Sequence, residues 1–357
     1  MINASYNQLG EQALDPVTVG LYTEEQYAQE DFPFQPFDPD AEMGWVWGYS
    51  LVQERPTLIP EALAYYSRGF GDSFVIEASS GCAIGGSLEE AIFYGMLEVV
   101  ERDSFLLTWY AQLPVPCLDP HSANDKELLL MIDRLQAVTG HKVHLFNMTM
   151  ENGIPSIGAI ALNSQPQEVH RANLICAAGA HLDPVRAAKS AIHELANMIP
   201  VLNEMFAEYQ ENGLEMFHDS SLVQQMLDHP LLYSLPQAQE RLHFLLDDDN
   251  RPVQTFDEAF KPLVQHADLT DDLKDLIQIF NRLNLDIIVV DQSNSETLRN
   301  GLHCVKVIIP GMLPMTFGHQ LTRVTGLDRV LKVPLELGYT NRLLTLDELN
   351  PYPHPFP

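Results

Sequence analysis

Three glutamates and an arginine, Glu90, Glu98, Glu101 and Arg102, recur at helical spacing inside the stretch Ser80–Asp103, SGCAIGGSLEEAIFYGMLEVVERD. Carboxylate oxygens are hard ligands suited to Mg²⁺, and a guanidinium suits phosphate. The stretch opens on a glycine-rich turn (Gly81, Gly85, Gly86) whose backbone N–H groups suit an anion at a helix start. Ser87 with Glu90 three positions later spells a capping box, so a helix is expected from Ser87 to about Ala111, broken near Pro114 and Pro116. At about 100° per residue, Glu90, Tyr94, Glu98 and Glu101 share a sector of roughly 80°, with Ser87 inside it and Arg102 at its edge. Ile92, Phe93, Met96, Leu97, Val99 and Val100 take the opposite side, and Gly95 leaves room for a close approach. The plain alternative is an amphipathic helix with its acidic face in water. Against it, the stripe holds no lysine, and stacked like charges cost helix stability. The residue chemistry points to a nucleotide–metal site, though not to a GxxxxGK[ST] phosphate loop, whose lysine is absent.

The elements that must carry this stretch follow from composition and pattern. The chain has 357 residues, 46% hydrophobic and 19% charged, ample for a large core in one extended domain or two. Its net charge of −29, with 20 Lys and Arg, argues against nucleic acid or an anionic membrane as partner. The four cysteines are scattered with no CxxC, which excludes a zinc ribbon and suits a reducing cytoplasm. Cys82, in the glycine turn, reads as a nucleophile or as a small packing residue. The start, MINASYNQLGEQ, is no signal peptide, and no apolar run approaches the roughly 20 residues of a membrane span.

Residues 1–43 read as irregular with at most a short helix, Trp45–Leu51 as a strand, and Glu54-Arg55-Pro56 as a turn. Leu58–Tyr66 reads as a strand or surface helix, and 68–72 as a loop. A helix over Asn124–Val138 stops at Gly140. Strands are expected at Lys142–Met148, Ser156–Leu162 and 172–178, then a helix over Val185–Met198. That last unit echoes the first: with Ala91 on Ala187, Ser87 falls on Asp183, Gly95 on Ala191 and Glu98 on Glu194. This suggests a duplicated β–α unit with its two helices side by side, and at most a supporting role for Glu194. Residues 210–284 say least; Asp247-Asp248-Asp249-Asn250 is a Ca²⁺ loop or, more simply, a solvated acidic loop. Strands Asp286–Val290 and Cys304–Ile309 follow, and Asp291 is either a site residue at a strand end or a turn cap.

The chain closes on Asn350-Pro-Tyr-Pro-His-Pro-Phe-Pro357, whose alternate prolines enforce an extended chain. Alone, this reads as a disordered end or a ligand for a proline-binding module. Two motifs together carry a resemblance. The order SxGxAxGxSxEEA followed by ExxERD, running through the whole of Ser80–Asp103, resembles the second ATP-binding motif of the YcaO family. Pro353, Pro355 and Pro357 match the PxPxP end of its azoline-forming members. The resemblance runs from about Trp45 to the end and is thinnest over 210–280.

It implies an α/β (α+β) fold of repeated β-α units and mixed sheets, organised as a 1–43 irregular segment, a 44–349 catalytic domain and a 350–357 tail. It also implies an ATP- and Mg²⁺-dependent cyclodehydratase, the D-protein of thiazole/oxazole-modified peptide biosynthesis. By position, Glu90, Glu98 and Glu101 would hold Mg²⁺, Arg102 would touch phosphate, and the turn from Ser80 and Gly81 to Ser87 would meet the nucleotide. Gln320 and Arg323, spaced three apart where the family's third motif has four, are further nucleotide contacts, with Arg329 as an alternative. The Pro357 carboxylate would orient or deprotonate the peptide. The implied partners are a precursor peptide, a leader-binding E1-like protein and an azoline dehydrogenase, and the chain itself could be a homodimer. The family's first motif, SxxExxER, has no match upstream; Ser50–Arg55 keeps only an ER pair. The chain is therefore expected to be an N-terminally truncated or split cyclodehydratase that binds ATP poorly alone. A thioamide-forming enzyme and a scaffold without ATP competence are the competing readings.

Overall fold

Alternating apolar runs rich in valine and isoleucine become strands, and the 3.6-period runs become the helices that cover them. The computed structural model describes residues 1–66, 73–165, 171–247, 251–261 and 265–357. The 68–72 loop and Asp248-Asp249-Asn250 of the acidic patch lie outside the described residues. The strands are β1 (Ile2–Ala4), β2 (Met43–Ser50), β3 (Arg55–Pro60), β4 (Cys82–Gly85), β5 (Cys117–Leu118), β6 (His141–Asn147), β7 (Ser156–Asn163), β8 (Leu174–Ala180), β9 (Val253–Gln254), β10 (Ile288–Asp291) and β11 (His303–Ile308). They divide between two compact units.

The first unit comprises Met1–Asp103, Val264–Thr316 and Thr322–Val330. Its sheet runs β1-β2-β10-β11-β4, with β3 also on β2, and every pair is antiparallel. Two expectations are corrected here. The N-terminal segment is not wholly irregular, because Ile2–Ala4 pairs with Met43–Trp45 and Trp45 Nε1 donates to Ala4 O at 2.9 Å. Arg55 and Pro56 are not in the turn. Glu54 alone takes its left-handed conformation (φ +51°), and the two following residues start β3. β3 pairs with β2 along its length and is bridged on its other edge at Leu58 to Ala13, so it tolerates Pro56 and Pro60, which have no N–H to donate. The chain after Pro60 then forms a short helix, Glu61–Ala64.

The helix Leu88–Tyr110 leaves β4 through a turn that only glycine permits. A Cβ on Gly85 would stand 2.5 Å from Ala91 N. The capping box is shifted by one residue: Ser87 Oγ accepts from Glu90 N–H at 3.1 Å, but the Glu90 carboxylate accepts from Gly86 N–H at 2.6 Å.

The second unit comprises Ser104–Leu263, Phe317–Leu321 and Leu331–Pro357. Its sheet runs β8-β7-β6-β5-β9, antiparallel except for the parallel β5–β9 pair. β8 is buried along its whole length and β7 nearly so, which is why SIGAIALN and LICAAGA read as continuous apolar runs. The helix Lys126–Thr139 starts on an Asp125 cap and stops at Gly140, φ +71°. The next helix is longer than expected. It runs Pro184–His218, through Pro200, as two helical segments joined across a kink at Tyr209. Pro200 removes one N–H bond, costing about 3 kcal/mol. The buried Ile199, Leu202 and Phe206 stabilise the continuation by about 1.5–3 kcal/mol each, so the helix goes on past Pro200. Both units thus hold the expected strand–turn–helix element, with Asp183 capping Val185 N and Arg186 N where Ser87 caps Glu90 N. Among the described residues no helix is long and apolar enough to cross a membrane.

Candidate functional site

The glycine turn and the glutamate stripe meet in the first unit. Gly81 sits at φ +81°, and a Cβ there would lie 2.3 Å from Val307 O, so no other residue fits. Its carbonyl accepts from Val307 N–H at 2.7 Å and its N–H donates to Glu98 Oε2 at 3.1 Å. Gly95 supplies the close approach: a Cβ there would be 2.7 Å from Val307 Cγ2 and 3.0 Å from Gly81 O. The turn is therefore clamped between β11 and the helix. Arg102 lies 3.9 Å from Glu98 and 3.4 Å from Glu101, so the stripe carries its own counter-charge. All three are half-buried.

The stripe is not one three-glutamate cage. Glu90 is eight residues before Glu98, about 12 Å along the axis, and is engaged by Gly86 N–H. Among the described residues no three His, Cys, Asp or Glu side chains converge on a metal position. Glu98 and Glu101, one turn apart, fit the usual mode of Mg²⁺, which takes one or two carboxylates together with substrate phosphates. The shared guanidinium beside them is suited to those phosphates. We expect Gly81→Ala to lower stability by at least about 2 kcal/mol, since the added Cβ cannot be housed and the residue must leave φ > 0. A urea melt measures this; an unchanged midpoint would mean the turn is not clamped.

Behind the turn lies a buried ionic cluster that motif reading missed. Lys306, in the middle of apolar β11, is 1% exposed. Its ammonium donates to Glu77 Oε2 at 3.1 Å, Ala78 O at 3.0 Å and Ser80 O at 2.7 Å. Glu77 also pairs with Arg323. Burial pushes the Glu77 carboxyl up, but Arg323 and Lys306 outweigh it and hold it below the usual carboxylate range. The Arg323 side chain is itself 0% exposed, so the structure gives this guanidinium to Glu77. Asp103 is likewise buried, accepting from Leu313 N–H at 2.8 Å and pairing with Arg329. The readable signal for the cluster was a lone lysine inside CVKVII.

The remaining sequence candidates resolve simply. Cys82 is half-buried and burial raises its thiol pKa, which keeps it protonated and favours packing over nucleophilic attack. Asp291 accepts from Ser293 N–H at 2.8 Å as a turn cap. Glu194 sits half-buried on the Pro184–His218 helix.

Gln320 and Pro357 belong to the second unit, Gln320 in the short His319–Leu321 turn of helix. There the proline tail is docked, with Pro353, His354, Pro355 and Phe356 buried. Trp109 Nε1 donates to Tyr352 O at 3.1 Å and Tyr233 OH to Pro353 O at 2.6 Å. Arg241 lies 4.0 Å over the Tyr352 ring, and Phe356 packs edge-on against Phe105 at 4.6 Å. The His229 ring stacks on His354 at 4.1 Å, donates from Nδ1 to His354 O at 2.8 Å, and accepts Gly318 N–H on Nε2 at 3.0 Å. Prolines lack N–H groups, so the tail's carbonyls carry its docking. The sequence offered a disordered end as one reading, and this network replaces it.

Comparison with known proteins bears on this geometry. A family model described as YcaO cyclodehydratase, ATP- and Mg²⁺-binding, matches residues 1–313. A heterocyclase solved in complex with substrate and cofactor superposes with TM-score 0.79 at 26% identity, covering 99% of this chain and 45% of that one. The heterocyclase TruD gives TM-score 0.75 at 25% identity, covering 99% and 47%. A protein encoded in the tfuA 3′ region of Rhizobium leguminosarum bv. trifolii is 36% identical over 159 residues, 43% of this chain and 38% of that one. The chain spans less than half the length of each of these relatives.

Proposed function

This chain belongs to the YcaO cyclodehydratase family, whose ligands are ATP and Mg²⁺, and from that premise we propose that it carries catalytic-site residues of an azoline-forming cyclodehydratase. A Cys, Ser or Thr side chain of a ribosomal precursor peptide attacks the preceding amide carbonyl. The resulting oxyanion takes the γ-phosphoryl group of ATP. Phosphate then leaves, and a thiazoline or oxazoline remains. Phosphorylation is needed because an amide oxygen is a poor leaving group.

Glu98 and Glu101 are the residues for Mg²⁺, Arg102 for phosphate, and the Ser80–Ser87 turn for the nucleotide, with Glu90 bracing that turn. When bound, Mg²⁺ supplies neutralisation of the phosphate charge. The half-buried setting of the three side chains strengthens their electrostatics over those of a solvated stripe. Gln320 is a further nucleotide contact. The Pro357 carboxylate is the group to orient or deprotonate the peptide. We assign 44–349 as the catalytic domain, 1–43 as its N-terminal segment and 350–357 as the tail. A leader-binding E1-like protein and an azoline dehydrogenase are the partner classes.

The Gly81–Glu98–Arg102–Glu101 constellation carries the proposal. The test is ATP hydrolysis stimulated by a Cys-rich precursor peptide and the leader-binding partner, with the peptide losing the mass of one water per ring. Phosphate release without that loss would favour thioamide formation, and no hydrolysis would favour a scaffold.

A further inference from the structure

The Ser80–Gly81 peptide unit is held at both ends. Its carbonyl accepts from Lys306 Nζ at 2.7 Å, and its N–H donates to Glu98 Oε2 at 3.1 Å. An ammonium on the carbonyl side polarises the unit and makes its N–H a stronger donor to the carboxylate. Val307, the next residue on β11, fixes the following carbonyl, that of Gly81, at 2.7 Å. Lys306 spends all three of its protons on Glu77, Ala78 and Ser80, so its geometry is fully determined. Burying an ammonium is costly, and a methionine of similar length would fill the same space among the strand's valines. Arg323 would still neutralise Glu77 in its absence. The expense therefore calls for a role beyond neutralising Glu77.

We infer that Lys306 is a positioning residue that sets the Glu98 carboxylate through the Ser80–Gly81 peptide, and so tunes the affinity of the site for Mg²⁺. This rests on the assignment of Glu98 to Mg²⁺. Lys306 touches neither nucleotide nor metal; it locks the peptide plane against rotation, and the Gly81 N–H then pins one oxygen of Glu98. The other oxygen, Oε1, faces Arg102 at 3.9 Å, on the side of Glu101.

The experiment is a double-mutant cycle of Lys306→Met and Glu98→Gln, read by Mg²⁺ titration of the binding of a non-hydrolysable ATP analogue and by hydrogen exchange at the Gly81 amide. Lys306→Met is expected to weaken Mg²⁺ about 10–100-fold, as loss of an outer partner does, leaving Mg²⁺-free nucleotide affinity unchanged. In the Glu98→Gln background it should add less than about twofold, because its route is gone. Gly81 exchange should rise about tenfold or more in Lys306→Met, and Lys306→Arg, which keeps the donors, should restore much of both effects. A full-sized effect of Lys306→Met in the Glu98→Gln background, or unchanged Gly81 exchange, would overturn the inference. If the wild-type protein shows no Mg²⁺-dependent nucleotide binding, the metal assignment falls, and with it the claim that Lys306 tunes Mg²⁺. The exchange result then decides whether Lys306 sets the peptide. If Lys306→Met does not fold, the same readings on Lys306→Arg and Lys306→Gln decide it.

Discussion

Glu98→Gln is expected to reduce precursor-stimulated ATP turnover by at least about 100-fold while leaving the melting curve within a few degrees of wild type. The isosteric amide can still accept the Gly81 N–H through its oxygen, so the turn survives. What is lost is the negative charge for Mg²⁺ and the partner of Arg102 at 3.9 Å. Loss of an outer-shell group alone costs 10–100-fold at metal sites, so loss of a ligand should cost more. The control is Glu89→Gln, about two and a half helix turns before Glu98 and exposed, which should leave turnover within a factor of two. Equal turnover in Glu98→Gln and wild type would remove the metal assignment. Because the two glutamates flank one guanidinium, Glu101→Gln should behave alike, and the double variant should lose less than the sum of the two.

The second large effect is acid release of the tail. His229 is 1% exposed and holds the tail as a neutral ring, donating on one nitrogen and accepting on the other. Burial pulls its pKa down from 6.5 to about 4; the His354 carbonyl partly offsets this and His319 adds to it. An imidazolium could not accept the Gly318 N–H, so protonation breaks that bond. Between about pH 4 and 6.5 the unfolded chain binds the proton and the folded chain does not, so stability rises with pH there. The contribution is fully present above the unfolded pKa of 6.5 and is lost as pH falls through the folded value of about 4. The fall from 6.5 to about 4, at 1.36 kcal/mol per pH unit, amounts to about 3 kcal/mol. His319, whose pKa is lowered by burial first and Arg241 second, acts in the same direction. Urea melts between pH 6.5 and 5 should show falling stability with the tail becoming protease-sensitive first. In His229→Gln the slope should flatten by up to about one proton's worth, 1.36 kcal/mol per pH unit. A slope identical to wild type would deny His229 this part.

The stripe and turn were readable in the chain because their logic is local. The spacing of Glu90, Glu98 and Glu101, the serine cap and the small residues of the turn all act within one β–α unit, and propensity and periodicity report on such units. The Pro184–His218 helix shows the limit of the same logic. Pro200 ends a helix locally, and only the buried Leu202 and Phe206 beyond it outweigh that signal. Arg55 and Pro56 likewise read as a turn until β2 offers them an edge to pair with.

From the sequence alone came the family, through the Ser80–Asp103 motif and the proline end, and with it the ligand classes ATP and Mg²⁺. Tertiary structure decided which charges act together. Glu77, Lys306 and Arg323 lie up to 246 positions apart in the chain, and nothing in their local sequence pairs them. It also decided that Glu90 braces the turn, standing apart from Glu98, and that the tail is docked through carbonyls to Trp109, Tyr233 and His229. The physical reason is the same in each case. Burying a charge or a carbonyl costs several kcal/mol without a partner, and which partner is within 3 Å depends on how the strands and helices pack.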